Sequence, residues 1–352
     1  MQIARRLAES GCRVVVPVLI DRRDDYSGSP YAHPTNMAHR EMIYRMAYQL
    51  GRHIIGYEVQ KVLAVVDWAV RRHPGQPVGV AGYGEGGVLA LYSAAADPRI
   101  DAAWVSGYFD SRQNLWQEPL YRNVWGLLEE FGDAELAWMI APRPLVVEAC
   151  RAPEIAGPPA PSETHRSAGA PGRLTTPEPR SVEDEAARAR VVYARLQEAD
   201  RLSLVLSGDG RGAPGSEAAL GRFLRALKMN AKRPQGELAP RTRPGPGRQR
   251  RQFFQLVEYT QRLARQSQFV RQEFWSKANT TSPARWDESA ESYRRYLWEE
   301  VIGKFPPATE PLVARTRRIY DEPRWTGYEV VLPVWPGVFA SGILLIPKNM
   351  AA

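Results

Sequence analysis

Residues Val78 to Ala90 read VGVAGYGEGGVLA, a stretch in which a nucleophile is expected to stand. An apolar strand feeding a glycine-bracketed turn that opens a small-residue helix has the spacing of a nucleophile elbow. In that device a serine occupies a strained bend, and its neighbours must be tiny. Gly82 and Gly86 fill the neighbour positions, but the bend itself carries Gly84, flanked by Tyr83 and Glu85. A glycine offers no attacking oxygen, so the elbow predicts no acyl-transfer nucleophile. Ser93 and Ser106 are near in sequence but off the bend. Glu85 has two readings. Its carboxylate could substitute as an acid or base, or it is an acid favoured at a helix N-terminus by the dipole. GYGEGG lacks the Lys-Ser/Thr ending of a phosphate loop and the dinucleotide spacing, so no cofactor is expected.

The elements that position this bend alternate between helix and strand. Gln2 to Glu9 reads as a short amphipathic helix stopped by Gly11. Arg13 to Ile20 (RVVVPVLI) reads as a buried strand, and His39 to about Arg72 as one long helix. Pro77–Gly82, Ala102–Ser106, Pro144–Ala149 and Leu202–Ser207 read as further strands. Gly86–Ala95 and Ser216–Leu227 read as helices. Ser181, three residues before Asp184, predicts a helix start, with the helix running to about Ala199. This alternation predicts an α/β fold, a doubly wound, mostly parallel sheet covered on both faces. Asp21, Arg22, Arg23 and Asp24 follow the first strand, at the edge where such sheets bind ligands. They line a pocket or form a solvated, ion-paired loop. Trp104, Tyr108, Phe109, Trp116, Tyr121 and Trp125 cluster after the Ala102 strand, as stacking surfaces for a ligand or as core.

At this point the sequence resembles a known family. PVGVAGYGEGGVLALYSAAADPRIDAAWVSGYF followed by IAPRPLVVEA resembles the dienelactone hydrolase and acetyl xylan esterase branch of the α/β-hydrolases. The resemblance covers about residues 1–229 and implies that fold, with the aromatic cluster capping a pocket. It also implies a catalytic order of serine, acid and histidine. Position 84 is glycine. No histidine follows the last strand near Ser207-Gly208-Asp209-Gly210, because all five histidines (33, 39, 53, 73 and 165) precede residue 166. Glu148 or Glu154 could supply the acid, with nothing to orient. Residues 325–348 resemble the opening β-hairpin of another such esterase, and Tyr293–Ile302 its leading helix. The resemblance therefore implies an N-terminally truncated hydrolase domain, within a fragment of a tandem two-hydrolase bacterial protein.

Composition sets the remaining limits. Apolar residues are 44% of 352, enough for a full core. Net charge is +8, and Lys228–Arg251 holds eight basic residues against one acid, Glu237, so +7 of it lies there. That stretch reads as a solvated linker; nucleic-acid or anionic-surface binding is the less favoured reading. Cys12 and Cys150 form no metal pattern and read as buried thiols. No membrane span is expected, and residues 1–20 do not read as a signal peptide. The compartment stays open, since a longer parent could be exported. The expected organisation is a hydrolase-like domain over 1–229 with a Pro/Ala-rich loop or disordered insert at 151–180. A basic linker follows over 230–250, then a helical arm and opening hairpin over 251–352. The favoured function is non-catalytic, binding a small ester or sugar-like ligand or supporting an adjacent hydrolase domain. The rival is a carboxylic ester hydrolase acting through other residues or the missing second domain.

Overall fold

The computed structural model describes residues 3–28, 33–232 and 247–349. The chain divides into two compact units, Met1–Gln268 and Phe269–Ala352. In the first, helices α1 (Ile3–Glu9), α2 (His39–Tyr48) and α3 (Ile54–Arg72) precede strand β1 (Gly79–Tyr83) and helix α4 (Glu85–Ala96). Strand β2 (Ala102–Ser106), helices α5 (Leu127–Glu130) and α6 (Asp133–Ile140), and strand β3 (Leu145–Ala149) follow. Helix α7 (Pro179–Arg195), strand β4 (Leu202–Leu206) and helix α8 (Glu217–Ala226) complete the layer.

The four strands form one parallel sheet in the order β1-β2-β3-β4. Every residue of β2 and β3 is buried, as the apolar runs AAWVS and LVVEA require in a sheet covered on both faces. One face packs on α3, α4, α6 and α7, through Val66, Leu91, Ile140 and Tyr193. The other packs on α1 and α8, through Leu7, Trp104, Leu220 and Phe223. Burying such a side chain contributes roughly 1.5–3 kcal/mol. This is the expected α/β architecture, a parallel sheet covered by helices on both faces.

Several local expectations are corrected. Residues 13–20 form no strand; Val15 and Val16 are exposed, and this run pairs with no strand of the sheet. The single helix over 39–72 is two helices. Gly51 takes a left-handed φ of 64°, and His53 restarts the helix by accepting from the Ile55 amide through Nδ1 at 3.0 Å. Ser181 caps nothing, because Pro179 opens α7 and the Ser181 hydroxyl donates to Asp110. Residues 151–178 form a loop, one of the two forms expected of the Pro/Ala-rich insert. Ile155 and Leu174 bridge each other, and Asn36 Oδ1 accepts from the Ala168 and Gly169 amides. Cys150 is buried but Cys12 only partly so.

Helix α9 (Gly247–Trp275) begins in the first unit, where Phe253 is buried against Tyr26 and His39. Residues 233–246, most of the basic stretch, lie outside the described residues. In the second unit α10 (Pro283–Tyr296) starts at the cap Ser282, ahead of the leading helix expected over Tyr293–Ile302. Trp275 stacks between Trp286 and Tyr293, with ring centroids at 6.3 and 4.2 Å. Strands β5 (Arg315–Asp321), β6 (Trp325–Trp335) and β7 (Val338–Pro347) form a separate antiparallel sheet. The expected hairpin is β6–β7. Strand β5 was not expected, because RTRRIYD carries charge on both faces and shows no alternation of apolar and polar residues.

Candidate functional site

The bend between β1 and α4 has the strained geometry its spacing predicts. Gly84 sits at φ 56° and ψ −114°, a conformation that side chains resist. Its amide donates to the Ser106 carbonyl at 2.9 Å, tying the bend to β2. Two residues earlier, a Cβ on Gly82 would stand 1.8 Å from the Gly86 carbonyl oxygen, so only glycine fits. A Cβ on Gly84 would meet Cγ and Cδ of Pro153 at 2.8 Å. The Pro153 ring therefore stands where a nucleophile's side chain would begin.

Above the bend lies a cavity of about 510 Å³. Its floor is a chain of alternating charges. Glu85 accepts from Arg22 Nη2 at 2.6 Å, Arg40 Nη2 at 2.9 Å and Arg122 Nη2 at 3.0 Å. Arg40 is also paired with Glu58 at 2.8 Å. Arg122 pairs onward with Glu118 at 3.1 Å, and Glu118 with Arg112 at 2.9 Å. Arg112 ends the chain beside Asp133 at 3.3 Å, its guanidinium 4.3 Å from the centre of the Tyr108 ring. Burial by itself would raise the Glu85 carboxyl, but Arg122, Arg40 and Arg22 outweigh it and hold it at about 2. A carboxylate held ionised by three guanidinium groups favours a structural role for Glu85 over the substitute acid–base role. Burial pushes Asp133 up to about 7, against the pull of Arg112 and the Asp110 amide. Its Oδ1 has no hydrogen-bond partner.

The sequence-predicted residues are distributed unevenly about this cavity. Tyr83 lies at the end of β1 and donates to the Arg151 carbonyl at 2.9 Å. Gly84, Glu85, Arg22, Tyr108 and Glu154 line the cavity, where Glu154 accepts from Thr176 Oγ1 at 3.0 Å. Asp21 is not part of the lining; its Oδ1 lies 2.6 Å from His39 Nδ1. Burial opposes the ionised form of Asp21, but His39 and Arg23 outweigh it and lower its pKa. Trp116 is 76% exposed and lies outside the lining, and Arg112 covers the Tyr108 ring, so ligand stacking on these aromatics is not what the site is built for. Glu148 is buried away from the cavity. It accepts from Ser106 Oγ at 2.6 Å and from the Gly215 and Ser216 amides at 3.0 and 2.7 Å, which anchors the start of α8.

No histidine lines the cavity among the described residues. His39 uses Nδ1 on Asp21 and Nε2 on the Tyr26 amide. His53 is half-buried, and the loss of solvent lowers it to about 4, so it is a neutral cap. The Cys150 thiol is pushed up to about 12 by burial and stays protonated. Sequence reading missed Arg40, Arg112, Arg122, Glu118 and Pro153. Buried ion pairs carry the same letters as solvated ones, so the sequence held no signal for them. Among the described residues, no cluster of His, Cys, Asp and Glu could hold a metal ion, and no helix is long and apolar enough to cross a membrane.

This glycine-tight strand–bend–helix sits within residues 1–115, which match the model of the dienelactone hydrolase family. That similarity covers about the first third of the chain. No curated protein matches the chain. Among solved structures, it is similar to a methylesterase at 16% identity and TM-score 0.34, over 52% of this chain and 38% of that one. A carbohydrate esterase family 15 glucuronoyl esterase from Caldicellulosiruptor kristjansonii aligns at 16% identity and TM-score 0.33, over 62% and 61%. A glucuronoyl esterase from Solibacter usitatus aligns at 13% and 0.32, over 50% and 48%. The chain thus spans about two fifths to three fifths of the length of these proteins.

Proposed function

We propose that this dienelactone hydrolase-type domain binds a small polar ligand in the cavity above Gly84 and does not hydrolyse it. The observation that carries the reading is the bend itself: the nucleophile position has no side chain, and Pro153 fills the space in front of it. Acyl transfer needs a nucleophile and a base that can take its proton. The reading is supported by the absence of a histidine from the cavity lining among the described residues and by Glu85, which the surrounding arginines hold as a carboxylate. Ligand binding is favoured over pure structural support because the bend still opens into a cavity of about 510 Å³.

The lining favours a neutral ligand rich in hydroxyl groups, such as a sugar, over an apolar ester. Arg22, Arg112, Arg122, Arg173 and Arg211 are matched by Glu85, Asp110, Glu118, Glu154 and Glu178, so the wall presents donors and acceptors in balance. Ligand-observed NMR with a panel of neutral sugars and small acetate esters tests the reading. The expected result is saturation transfer to at least one panel member, with the esters recovered intact. Ester turnover above that of heat-denatured protein would overturn it.

A further inference from the structure

The corner of the cavity that Arg22 forms is braced from behind by a helix that contributes no residue to the lining. Arg22 donates to the Tyr121 hydroxyl at 2.9 Å and to Glu85 at 2.6 Å. It sits on a loop, since residues 21–27 form neither helix nor strand. Such a segment lacks a ladder of its own backbone hydrogen bonds, so its position is set by what packs against it. His39 supplies most of that hold. Its Nδ1 lies 2.6 Å from Asp21 Oδ1, its Nε2 accepts from the Tyr26 amide at 3.0 Å, and its own amide donates to the Arg23 carbonyl at 2.7 Å. The imidazole also stacks on Tyr26, with centroids 4.9 Å and planes 3° apart. One histidine thus ties the loop on both sides of Arg22.

Phe253 of α9 closes this stack from the far side. Its ring is 1% exposed, with its centroid 4.8 Å from that of His39 and 5.9 Å from that of Tyr26. Polar contacts hold the same stretch of α9 in place. Gln249 donates to the Leu19 carbonyl at 2.8 Å, Lys61 donates to Gln252 Oε1 at 3.0 Å, and the Tyr57 and Thr260 hydroxyls lie 3.2 Å apart. None of these α9 residues lines the cavity.

We propose that α9 sets the shape of the cavity: Phe253 is a positioning residue that acts through His39 and the 21–27 loop on Arg22, so the docked helix and the Arg22–Glu85 contact stabilise each other. The inference concerns the shape of the cavity and does not rest on what the cavity binds. The path from Phe253 through His39 to Asp21 and Tyr26, and from Arg22 to Glu85, has a ring contact or a hydrogen bond at each of these side chains. Its switching element is the aromatic slot. A ring either fills the space between Tyr26 and His39 or leaves it, because close-packed interiors do not deform continuously. A coupling of this kind is reciprocal, so a change at the cavity must be felt at the helix.

Hydrogen exchange read by mass spectrometry on the full chain tests both directions. Phe253→Ala should speed exchange over residues 20–28 by at least about tenfold, and Arg22→Ala should speed exchange over residues 249–260 by at least about twofold. Phenylglyoxal, which modifies accessible guanidinium groups, should react faster with Arg22 in Phe253→Ala than in wild type. Phe223→Leu is the control for simple loss of stability, because Phe223 is buried against Trp104 on the opposite face of the sheet. It should leave both segments and the Arg22 reactivity unchanged. Helical circular dichroism verifies that the variants are folded; should Phe253→Ala fail that check, Phe253→Leu, which keeps the slot partly filled, carries the same test. Unchanged exchange over 20–28 when Phe253 is truncated, unchanged exchange over 249–260 in Arg22→Ala, or equal effects from Phe223→Leu would each overturn the proposal.

Discussion

Replacing Glu85 by glutamine tests whether this carboxylate is a structural keystone of the cavity floor. Its side chain is 8% exposed and receives three guanidinium groups. Its pKa is lowered from the ordinary 4.5 to about 2, so the fold favours the ionised form. At about 1.4 kcal/mol per pH unit, that gap corresponds to about 3 kcal/mol. Breaking one partner of a buried ion pair generally costs about 3 to 5 kcal/mol, a figure of the same order. The dipole of α4 alone would supply about 0.3–1 kcal/mol, too little to account for either figure. Glu85→Gln should therefore lower Tm by roughly 6–12 °C at pH 7, read by differential scanning calorimetry. The pH dependence has a definite sign. A depressed carboxyl stabilises the fold above its unfolded pKa, and that stabilisation is lost as pH falls from about 4.5 towards 2. The difference between wild type and Glu85→Gln should shrink across that window. A Tm change below about 2 °C at pH 7 would show that the arginines do not depend on this carboxylate, and the reasoning would be wrong.

Two further predictions follow from the same site. Asp133 is raised to about 7, so the folded protein holds a proton that the unfolded chain releases, and stability falls as pH rises from about 4 to 7. Wild type should lose on the order of 3 kcal/mol more than Asp133→Asn between pH 4 and pH 8, measured by urea unfolding; parallel curves would refute the assignment. Gly84→Ser should destabilise by about 1–3 kcal/mol through its backbone conformation alone, and more through contact with Pro153. Adding Pro153→Ala should recover part of that loss, and neither variant should hydrolyse p-nitrophenyl acetate, because no imidazole is available to the new hydroxyl.

Much of the α/β layer was legible because its signals are local. Strands buried on both faces announce themselves as apolar runs, which is why β2 and β3 fall where Ala102–Ser106 and Pro144–Ala149 were expected. The elbow was legible because close backbone approach admits only glycine at position 82. Residues 13–20 misled because an apolar run implies burial only if a neighbour supplies hydrogen bonds, and no strand pairs with it. The cavity floor was illegible for a different reason. Arg40 and Glu58 lie 18 positions apart, and Glu85 and Arg122 lie 37 apart, so nothing local marks them as partners. Pro153 over Gly84 was equally hidden, since its role depends on where the loop after β3 folds back.

The most direct test of the central claim is intact-mass analysis of the full chain after treatment with a fluorophosphonate probe, which phosphonylates serines activated by a neighbouring base. The predicted outcome is an unchanged mass at neutral pH. One equivalent of adduct mapped to a serine in the cavity, such as Ser181, would mean that the site holds an activated nucleophile after all.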